Sequence, residues 1–280
     1  MVKVPATDKR PAKRRSIRGA RDAGKSGGPG LVQSLARGLS LLDSLAESPD
    51  GVSLSDLCQQ VGLSISTAHR LLTTLEQQGY VRCHPGSRSW SIGVQAFIVG
   101  SAFIKARDLV EIARPRMRSL MEQSGETVNF AVIDGGEAVF LAQVQCRQMM
   151  RALAPPGVRV PLHCSGLGKA LLAALPDAEV GSILRRHGLP RLTPRTLTTV
   201  ARLRTELQRI RERGYALDDE EHSIGLRCVA AAVSDEHGEP AGAVSLSGPA
   251  VRLPDERIAS LGTLVRETAE AISAAFGGNA

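Results

Sequence analysis

Apolar positions between Ser53 and Gly79 repeat at helical spacing in two stretches, which a tight turn separates. Ser53 and Asp56 form a capping-box arrangement at the start of the first stretch, and Gly62 is placed to end it. Ser64, two residues after Gly62, is predicted to cap the N-terminus of the second helix. The packing face predicted for this second helix consists of Ile65, Ala68, Leu71, Leu72 and Leu75.

Polar side chains gather on the opposite face of the second helix. A helix-turn-helix holds its second helix outward in this way, so that short polar side chains and an arginine can enter the major groove of DNA. On this stretch alone, a helical hairpin of an all-α domain would show the same pattern. The polar face consists of Ser66, Thr67, Arg70, Thr73 and Gln77.

The flanking residues favour DNA binding over the plain hairpin. Alternating runs at Tyr80–Cys83 and Arg88–Ile92 surround a turn-rich tip and predict a two-stranded wing. Residues Gln33–Ala46 carry leucines at helical spacing, and Ser34 is predicted to cap that helix. A helix, a helix-turn-helix and a wing together predict a winged-helix DNA-binding domain.

A strongly apolar helix is predicted after the wing, from Val94 to Ala106. A helix that is apolar almost all round must be covered on most sides. We interpret it as a linker helix that is partly buried against a partner subunit, and docking wholly on its own chain is the alternative. A dimer suits a palindromic operator, because two half-sites need two copies of the reading helix.

From Asp108 onward the pattern becomes mixed. Strands that occur in adjacent pairs between helices predict an α+β domain with a largely antiparallel sheet. A helix over 109–123 is expected to kink or break at Pro115. Further helices are predicted over 165–174, 177–186, 200–213 and 255–276, and strands over 127–133, 137–144, 148–152, 215–219, 228–234 and 241–247.

The net charge of +7 is concentrated at the N-terminus. Residues 1–30 hold nine Lys or Arg against two Asp, a balance of +7. We predict a disordered basic arm there, which adds phosphate contacts to the neighbouring DNA-binding domain. The predicted organisation is this arm (1–30), the winged-helix domain (31–93), the linker helix (94–107) and an effector-binding domain (108–280).

Composition excludes several other classes of protein. No apolar run reaches membrane-spanning length and no signal-peptide core is present, so we expect a cytoplasmic protein without a membrane partner. The five cysteines are odd in number and form no CxxC pair, which indicates neither a disulfide framework nor a zinc finger. No cofactor is expected.

A ligand site is predicted where polar groups cluster at the ends of elements in the second domain. The backbone N–H groups of Gly166 and Leu167 begin a helix and could receive a carboxylate. Ser245 and Ser247 alternate onto one face of a strand, and the segment 218–228 supplies acidic, imidazole and thiol groups.

Two chemical alternatives remain open at these residues. A thiol-dependent enzyme would use Cys228 or Cys164 as nucleophile with His163 or His222 as base. A metal site would use His163, Asp218, His222 and Cys228, although their spacing matches no recognised ligand pattern.

Several motifs, taken in order, resemble the isocitrate lyase regulator (IclR) family of bacterial transcription factors, and most closely its glyoxylate-responsive branch, which regulates the acetate operon. The resemblance extends from about Gly30 to Gly278. It implies a GAF-like effector domain, binding to double-stranded operator DNA, and a homodimer or a homotetramer built as a dimer of dimers. The motifs are VQSLARGLSLL, STAHRLLTTLEQQGYVR, LHCSGLGKALLA, DDEEHSIGLRCVAAAVSDEHGEP and AVSLSGP.

The resemblance also implies roles for individual residues. A small 2-oxo acid such as glyoxylate would place its carboxylate on Gly166 and Leu167. Polar contacts would come from Asp218, Cys228, Ser245 and Ser247, and apolar walls from Met149, Ala152 and Leu226. Contacts to DNA are expected from Arg37, Ser64, Ser66, Thr67, Arg70, Thr73 and Arg88. Of these, Arg37 and Arg88 are expected to bind the phosphate backbone.

Overall fold

A computed structural model describes residues 31–48, 50–105 and 109–277. The predicted basic arm, residues 1–30, lies outside this range. The chain divides into two compact units, with the boundary between Gly100 and Ser101. Each unit has a hydrophobic core of its own.

The first unit is a winged helix. Its three strands form one antiparallel sheet in the order β1, β3, β2, which confirms the predicted wing and adds the unpredicted strand β1. Its core contains Leu41, Leu57, Leu72 and Trp90. The elements are α1 (Gln33–Ala46), β1 (Val52–Ser53), α2 (Leu54–Val61), α3 (Ile65–Gln77), β2 (Val81–Cys83) and β3 (Ser89–Ile92), and the helix α4 (Val94–Lys105) follows.

Local capping explains the tight turn between α2 and α3. The hydroxyl of Ser53 accepts a hydrogen bond from the N–H of Asp56, and Gly62 ends α2 in the left-handed conformation at φ 71°. The hydroxyl of Ser64 then accepts from the N–H of Thr67. These caps confirm the predicted helix-turn-helix.

Two predictions for the first unit are wrong. Ser34 does not cap α1, because it lies inside the helix. The helix begins at Gln33, and the residue before it, Val32, provides no side-chain cap. Ile65 does not pack, because it is the first residue of α3 and lies 61% exposed, beyond the part of the helix that the core covers.

The second unit is built on one six-stranded sheet in the order β6, β5, β4, β9, β8, β7. Every pairing in it is antiparallel, which confirms the predicted α+β fold. The elements are α5 (Leu109–Ser124), β4 (Thr127–Asp134), β5 (Glu137–Val144), β6 (Arg159–Pro161), α6 (Gly166–Ala174), α7 (Asp177–His187), α8 (Val200–Arg213), β7 (Ala216–Asp219), β8 (Leu226–Ser234), β9 (Pro240–Pro249) and α9 (Asp255–Phe276).

Two predictions for the second unit need correction. Residues 148–152 form a loop rather than a strand, and the edge of β5 pairs with β6 instead. The helix α5 also continues through Pro115, so the predicted break does not occur there. The proline removes one backbone hydrogen bond, but Ala113 and Met117 on either side are buried in the core and hold the helix in place.

The two faces of the sheet are covered by different helices. One core cluster joins α5 and α9 to side chains such as Val244 and Leu246 of β9. The other cluster joins α6, α7 and α8 to residues such as Ala230 and Ala243. Because side chains alternate along a strand, Ser245 and Ser247 point to the face that α6 covers.

Candidate functional site

The outward face of α3 carries the residues predicted to contact DNA. Ser64, Ser66 and Arg70 are exposed, whereas Thr67 and Thr73 are half-buried. Ala68 and Leu72 on the other face are fully buried in the core. The arginine therefore projects from a helix whose position the core fixes.

The hydroxyl groups on α3 are partly engaged with one another. The Oγ of Ser64 lies 2.9 Å from the Oγ1 of Thr67 and 3.3 Å from the Oγ of Ser66. The hydroxyl of Thr73 donates to the carbonyl oxygen of His69 at 2.9 Å. The bonds of Ser64 order the start of the helix, and Arg70 projects from it as an exposed cationic group.

Two further arginines predicted to contact DNA lie on other elements of the first unit. Arg88 is exposed at the tip of the wing, and its N–H donates to the carbonyl oxygen of His84 at 2.8 Å. Its φ of 52° is left-handed, which is uncommon for a residue with a side chain. Arg37 is half-buried on α1.

A second group of polar side chains lies on the α6-facing side of the large sheet. Strand pairing places Asp218 opposite Cys228, Cys228 opposite Ser247, and Ser247 opposite Thr127. The next row along places Ser245 between Ala230 and Asn129. The predicted polar contacts Asp218, Cys228, Ser245 and Ser247 therefore lie on one surface.

The start of α6 lies directly over this surface. A Cβ on Gly166 would lie 3.2 Å from both the Cβ and the carbonyl oxygen of Cys228, so glycine allows this close approach. The hydroxyl of Ser165 accepts from the N–H of Gly168. The N–H groups of Gly166 and Leu167 have no partner within the helix, and they sit at its positive end.

Ser245 holds a buried hydroxyl group without a partner. Its Oγ and the Oε2 of Glu221 are the buried side-chain polar atoms that lack a hydrogen bond within the described ranges. A buried polar group without a partner is costly, so a ligand that bonds to Ser245 would recover free energy. The neighbouring Ser247 accepts from the Nδ2 of Asn129 at 3.2 Å, and Asn129 accepts from Gln143 at 2.8 Å.

A buried charged cluster supports the same site. The ammonium of Lys169 donates to the carboxylate of Glu221 and to the carbonyl oxygen of Leu217. Asp218 accepts from the backbone N–H of Glu221 at 2.8 Å. Burial raises the pKa of Asp218 to about 7, although the nearby Lys169 opposes the shift. Near neutral pH, this carboxyl group is therefore partly protonated.

Four polar residues of this region were not singled out from the sequence: Thr127, Asn129, Gln143 and Lys169. Thr127 and Asn129 are two residues apart on β4, as Ser245 and Ser247 are on β9. That spacing could have predicted from the sequence that both side chains lie on one face of the strand. Lys169 gave no such signal, because its complete burial follows from the tertiary fold.

The three residues predicted to form apolar walls around the ligand differ in their exposure. Leu226 and Ala152 are half-buried, whereas the side chain of Met149 is 99% exposed in the loop after β5. Arg252 anchors this loop: it pairs with the buried carboxylate of Glu126 and donates to the carbonyl oxygen of Met150 at 3.0 Å. The structure brings the polar contacts together but leaves Met149 facing solvent.

Comparison with protein families covers both units. Residues 34–85 match the IclR helix-turn-helix domain, and residues 101–274 match the bacterial transcriptional regulator IclR C-terminal domain. The chain belongs to the IclR family. It is a transcriptional regulator of that family with a DNA-binding helix-turn-helix, rather than an enzyme.

Individual IclR-family proteins match almost the whole chain. The acetate operon repressor of Salmonella typhimurium is 50% identical over 251 residues, which are 89% of this chain and 92% of that protein. The transcriptional repressor IclR of Escherichia coli K12 is 49% identical over the same share of both chains. The repressor AllR of E. coli K12 is 44% identical over 246 residues, 88% of this chain and 91% of that protein.

Solved structures of IclR-family proteins share the fold. The Thermotoga maritima IclR structure is 31% identical with a TM-score of 0.73, and the match covers 88% of this chain and all of that one. An IclR homologue from Microbacterium hydrocarbonoxydans, complexed with 4-hydroxybenzoate, is 25% identical with a TM-score of 0.76. That match covers 86% of this chain and 98% of the other.

The chemical alternatives gain no support from the geometry. Burial raises the pKa of Cys164 to about 12 and also raises the pKa of Cys228, so both thiols stay protonated at neutral pH. Burial also lowers the pKa of His163 and of His222. In the part of the chain that the structure describes, no group of three or more His, Cys, Asp and Glu residues is arranged to hold a metal ion.

Two cavities lie away from this polar surface. Their volumes are about 410 and 380 Å³, and both are lined by Ala173 and Arg211 near the C-terminal end of α6. The polar surface itself is closed, because Asp218, Ser245 and Ser247 are at most 5% exposed. None of the helices in the described ranges combines the length and the apolar character that a membrane crossing requires.

Proposed function

We propose that the chain is a repressor that binds double-stranded operator DNA through the outer face of α3. Arg70 and Ser66 would reach base edges or nearby phosphates, with Ser64, Thr67 and Thr73 beside them. Arg88 in the wing and Arg37 on α1 would bind the backbone. The exposure of Arg70 on a helix with a buried opposite face supports this assignment, and the names of the relatives support repression.

The proposed effector is a small 2-oxo carboxylate such as glyoxylate. Its carboxylate would bind the N–H groups of Gly166 and Leu167 at the positive end of α6. Ser245, Ser247, Asp218 and Cys228 would contact its remaining oxygen atoms. The observation that carries this proposal is the buried Oγ of Ser245, which has no hydrogen-bond partner in the described structure. Ser245 pairs with Ala230 on the face of the sheet that α6 covers.

The closed state of the surface connects binding with conformation. Since Asp218 and Ser245 are each only 1% exposed, a ligand can reach them only after a local opening. We propose that the loop containing Met149 and Ala152, together with Leu226, supplies apolar walls around the bound acid. A ligand that binds one conformation better than another shifts the balance between them, and that shift would change operator affinity.

Self-association through α4 completes the proposal. Val94, Phe97, Ile98 and Val99 are each at least 50% exposed, which is unusual for four large apolar side chains on one helix. We propose that a second copy covers them, that the dimer reads two half-sites, and that two dimers form a tetramer. Such a regulator would act on chromosomal DNA in the cytoplasm.

Thermal unfolding with small acids tests the effector proposal. At about 100 times its dissociation constant, glyoxylate should raise the melting temperature by roughly 5–10 °C, because it binds only the native state. Pyruvate tests tolerance for a larger acid, and acetate tests the need for the 2-oxo group. Ser245→Ala should remove the shift, whereas Ser260→Ala on the exposed side of α9 should keep it. Equal shifts in both variants would contradict the site.

A further inference from the structure

The first residue of α3 is an exposed isoleucine. Ile65 is 61% exposed, although Ala68 and Leu72, which follow at helical spacing, are fully buried. The apolar stripe of α3 therefore extends one turn beyond the core of its own domain. Because β-branched side chains have few rotamers, this exposed group is also held in a defined direction.

The surroundings of Ile65 are polar. Ser64, Ser66, His69 and Arg70 are all exposed along the same half of α3. Between residues 50 and 93 of the described chain, the exposed large apolar side chains are Ile65 and Ile92, and Ile92 lies in the wing strand β3 at only 38% exposure. Ile65 is therefore the large apolar group on the exposed surface of α3.

The chemistry of the major groove offers one apolar partner for such a group. The 5-methyl group of thymine projects into that groove, and apolar side chains recognise it by contact. In helix-turn-helix proteins, the N-terminal residues of the second helix lie closest to the base edges. We propose that Ile65 contacts a thymine methyl group in each half-site and so helps to determine sequence specificity.

This inference rests on the proposed placement of α3 in the major groove. It adds a hydrophobic determinant to a surface otherwise made of hydroxyl and guanidinium groups. The hydroxyl of Ser64 lies within hydrogen-bonding distance of the hydroxyls of Ser66 and Thr67. The contact made by Ile65 would add selection for thymine to whatever these hydroxyls recognise.

Removal of single methyl groups from DNA provides the test. A duplex is first selected from random-sequence DNA by the full-length chain, and each thymine is then replaced in turn by deoxyuridine, which lacks only the 5-methyl group. At one position in each half-site, the wild-type protein should lose about fourfold in affinity, which corresponds to one buried methyl-sized group. Ile65→Ala should lose a similar factor on the thymine duplex and be indifferent to uracil at that position.

Two controls separate contact from folding. Ile92→Ala removes the other exposed isoleucine and should keep the uracil sensitivity of the wild-type protein. Ile65→Val keeps a branched side chain and should retain most of that sensitivity. The melting temperature of the Ile65 variants should be unchanged, because an exposed side chain contributes little to the core.

Each outcome decides the proposal. The proposal is overturned if replacing thymine by deoxyuridine lowers the affinity of Ile65→Ala as much as that of the wild-type protein at every position. It is also overturned if no such replacement lowers the affinity of the wild-type protein. If the wild-type chain selects no duplex at all, the placement of α3 in the groove fails as well. Loss of methyl dependence at one position per half-site, in Ile65→Ala only, establishes the contact.

Discussion

Asp218 shows how much the surroundings of one residue change its chemistry. It belongs to a run of four acidic residues in which Asp218 is 1% exposed and burial raises its pKa to about 7, while Glu221 is 6% exposed with a pKa that burial also raises. Asp219 pairs instead with Arg195 and Arg227. A protonated Asp218 can donate a hydrogen bond to an anionic ligand, whereas its carboxylate would repel one.

The raised pKa predicts a pH dependence of stability. Its value in the unfolded chain is near 3.8, so the native state holds the proton more tightly between pH 4 and pH 7. The contribution of Asp218 to stability is complete below pH 4 and is lost as the pH rises through 7. Relative to the wild-type protein, Asp218→Asn should therefore gain free energy of unfolding as the pH rises across this range. Urea unfolding at several pH values measures it, and a constant difference would contradict the assignment.

A second residue-scale prediction concerns Arg88. Arg88→Gly relieves the left-handed backbone and should raise the free energy of unfolding by roughly 0.5–1 kcal/mol. The same change removes a proposed phosphate contact, so operator binding should weaken and its logarithmic salt slope should fall by about one. Arg185→Gln, an exposed arginine on α7, serves as the control. Unchanged salt dependence in Arg88→Gly would place the wing tip away from DNA.

At the scale of elements, most helices and strands could be predicted because their caps and periodicity are local. The bounds of α1, α8, α9 and β5 agree with the sequence pattern. The short strands β1 and β6 were missed because two or three residues carry no periodicity, and they exist through pairing with β3 and β5. The false strand at 148–152 contains no β-branched or aromatic residue, and it has no partner strand in the described fold.

The helix α4 gives the element-scale prediction. Phe97→Glu places a charge in the centre of the proposed interface and should shift the protein toward monomer, with operator affinity lowered at least tenfold because one half-site cannot hold the protein alone. Sedimentation velocity measures the assembly. Gln123→Glu adds the same charge on the exposed side of α5 and should change neither quantity. An unchanged sedimentation coefficient in Phe97→Glu would show that α4 is not the interface.

At the scale of the whole molecule, the two candidate surfaces differ in how far sequence could reveal them. Most residues of the proposed DNA-binding surface lie on α3 and its cap, so they share a local pattern. The effector surface unites residues that are distant in the chain: Asn129 and Ser247 are 118 positions apart, and Lys169 and Glu221 are 52 apart. Such pairs depend on the strand order, which the sequence pattern did not provide. The two serines of β9 were found because they alternate, but their partners were not.

We propose that the exposed helix α3 of the first unit binds the operator, while the closed polar surface of the second unit controls that binding. Fluorescence anisotropy of a selected duplex, with the full-length protein and with or without saturating glyoxylate, tests both halves together. The wild-type affinity should change at least fivefold on addition of the acid, Ser245→Ala should bind DNA normally without this response, and Arg70→Ala should bind weakly in both conditions. Wild-type affinity for DNA in Arg70→Ala, or a full glyoxylate response in Ser245→Ala, would contradict the account.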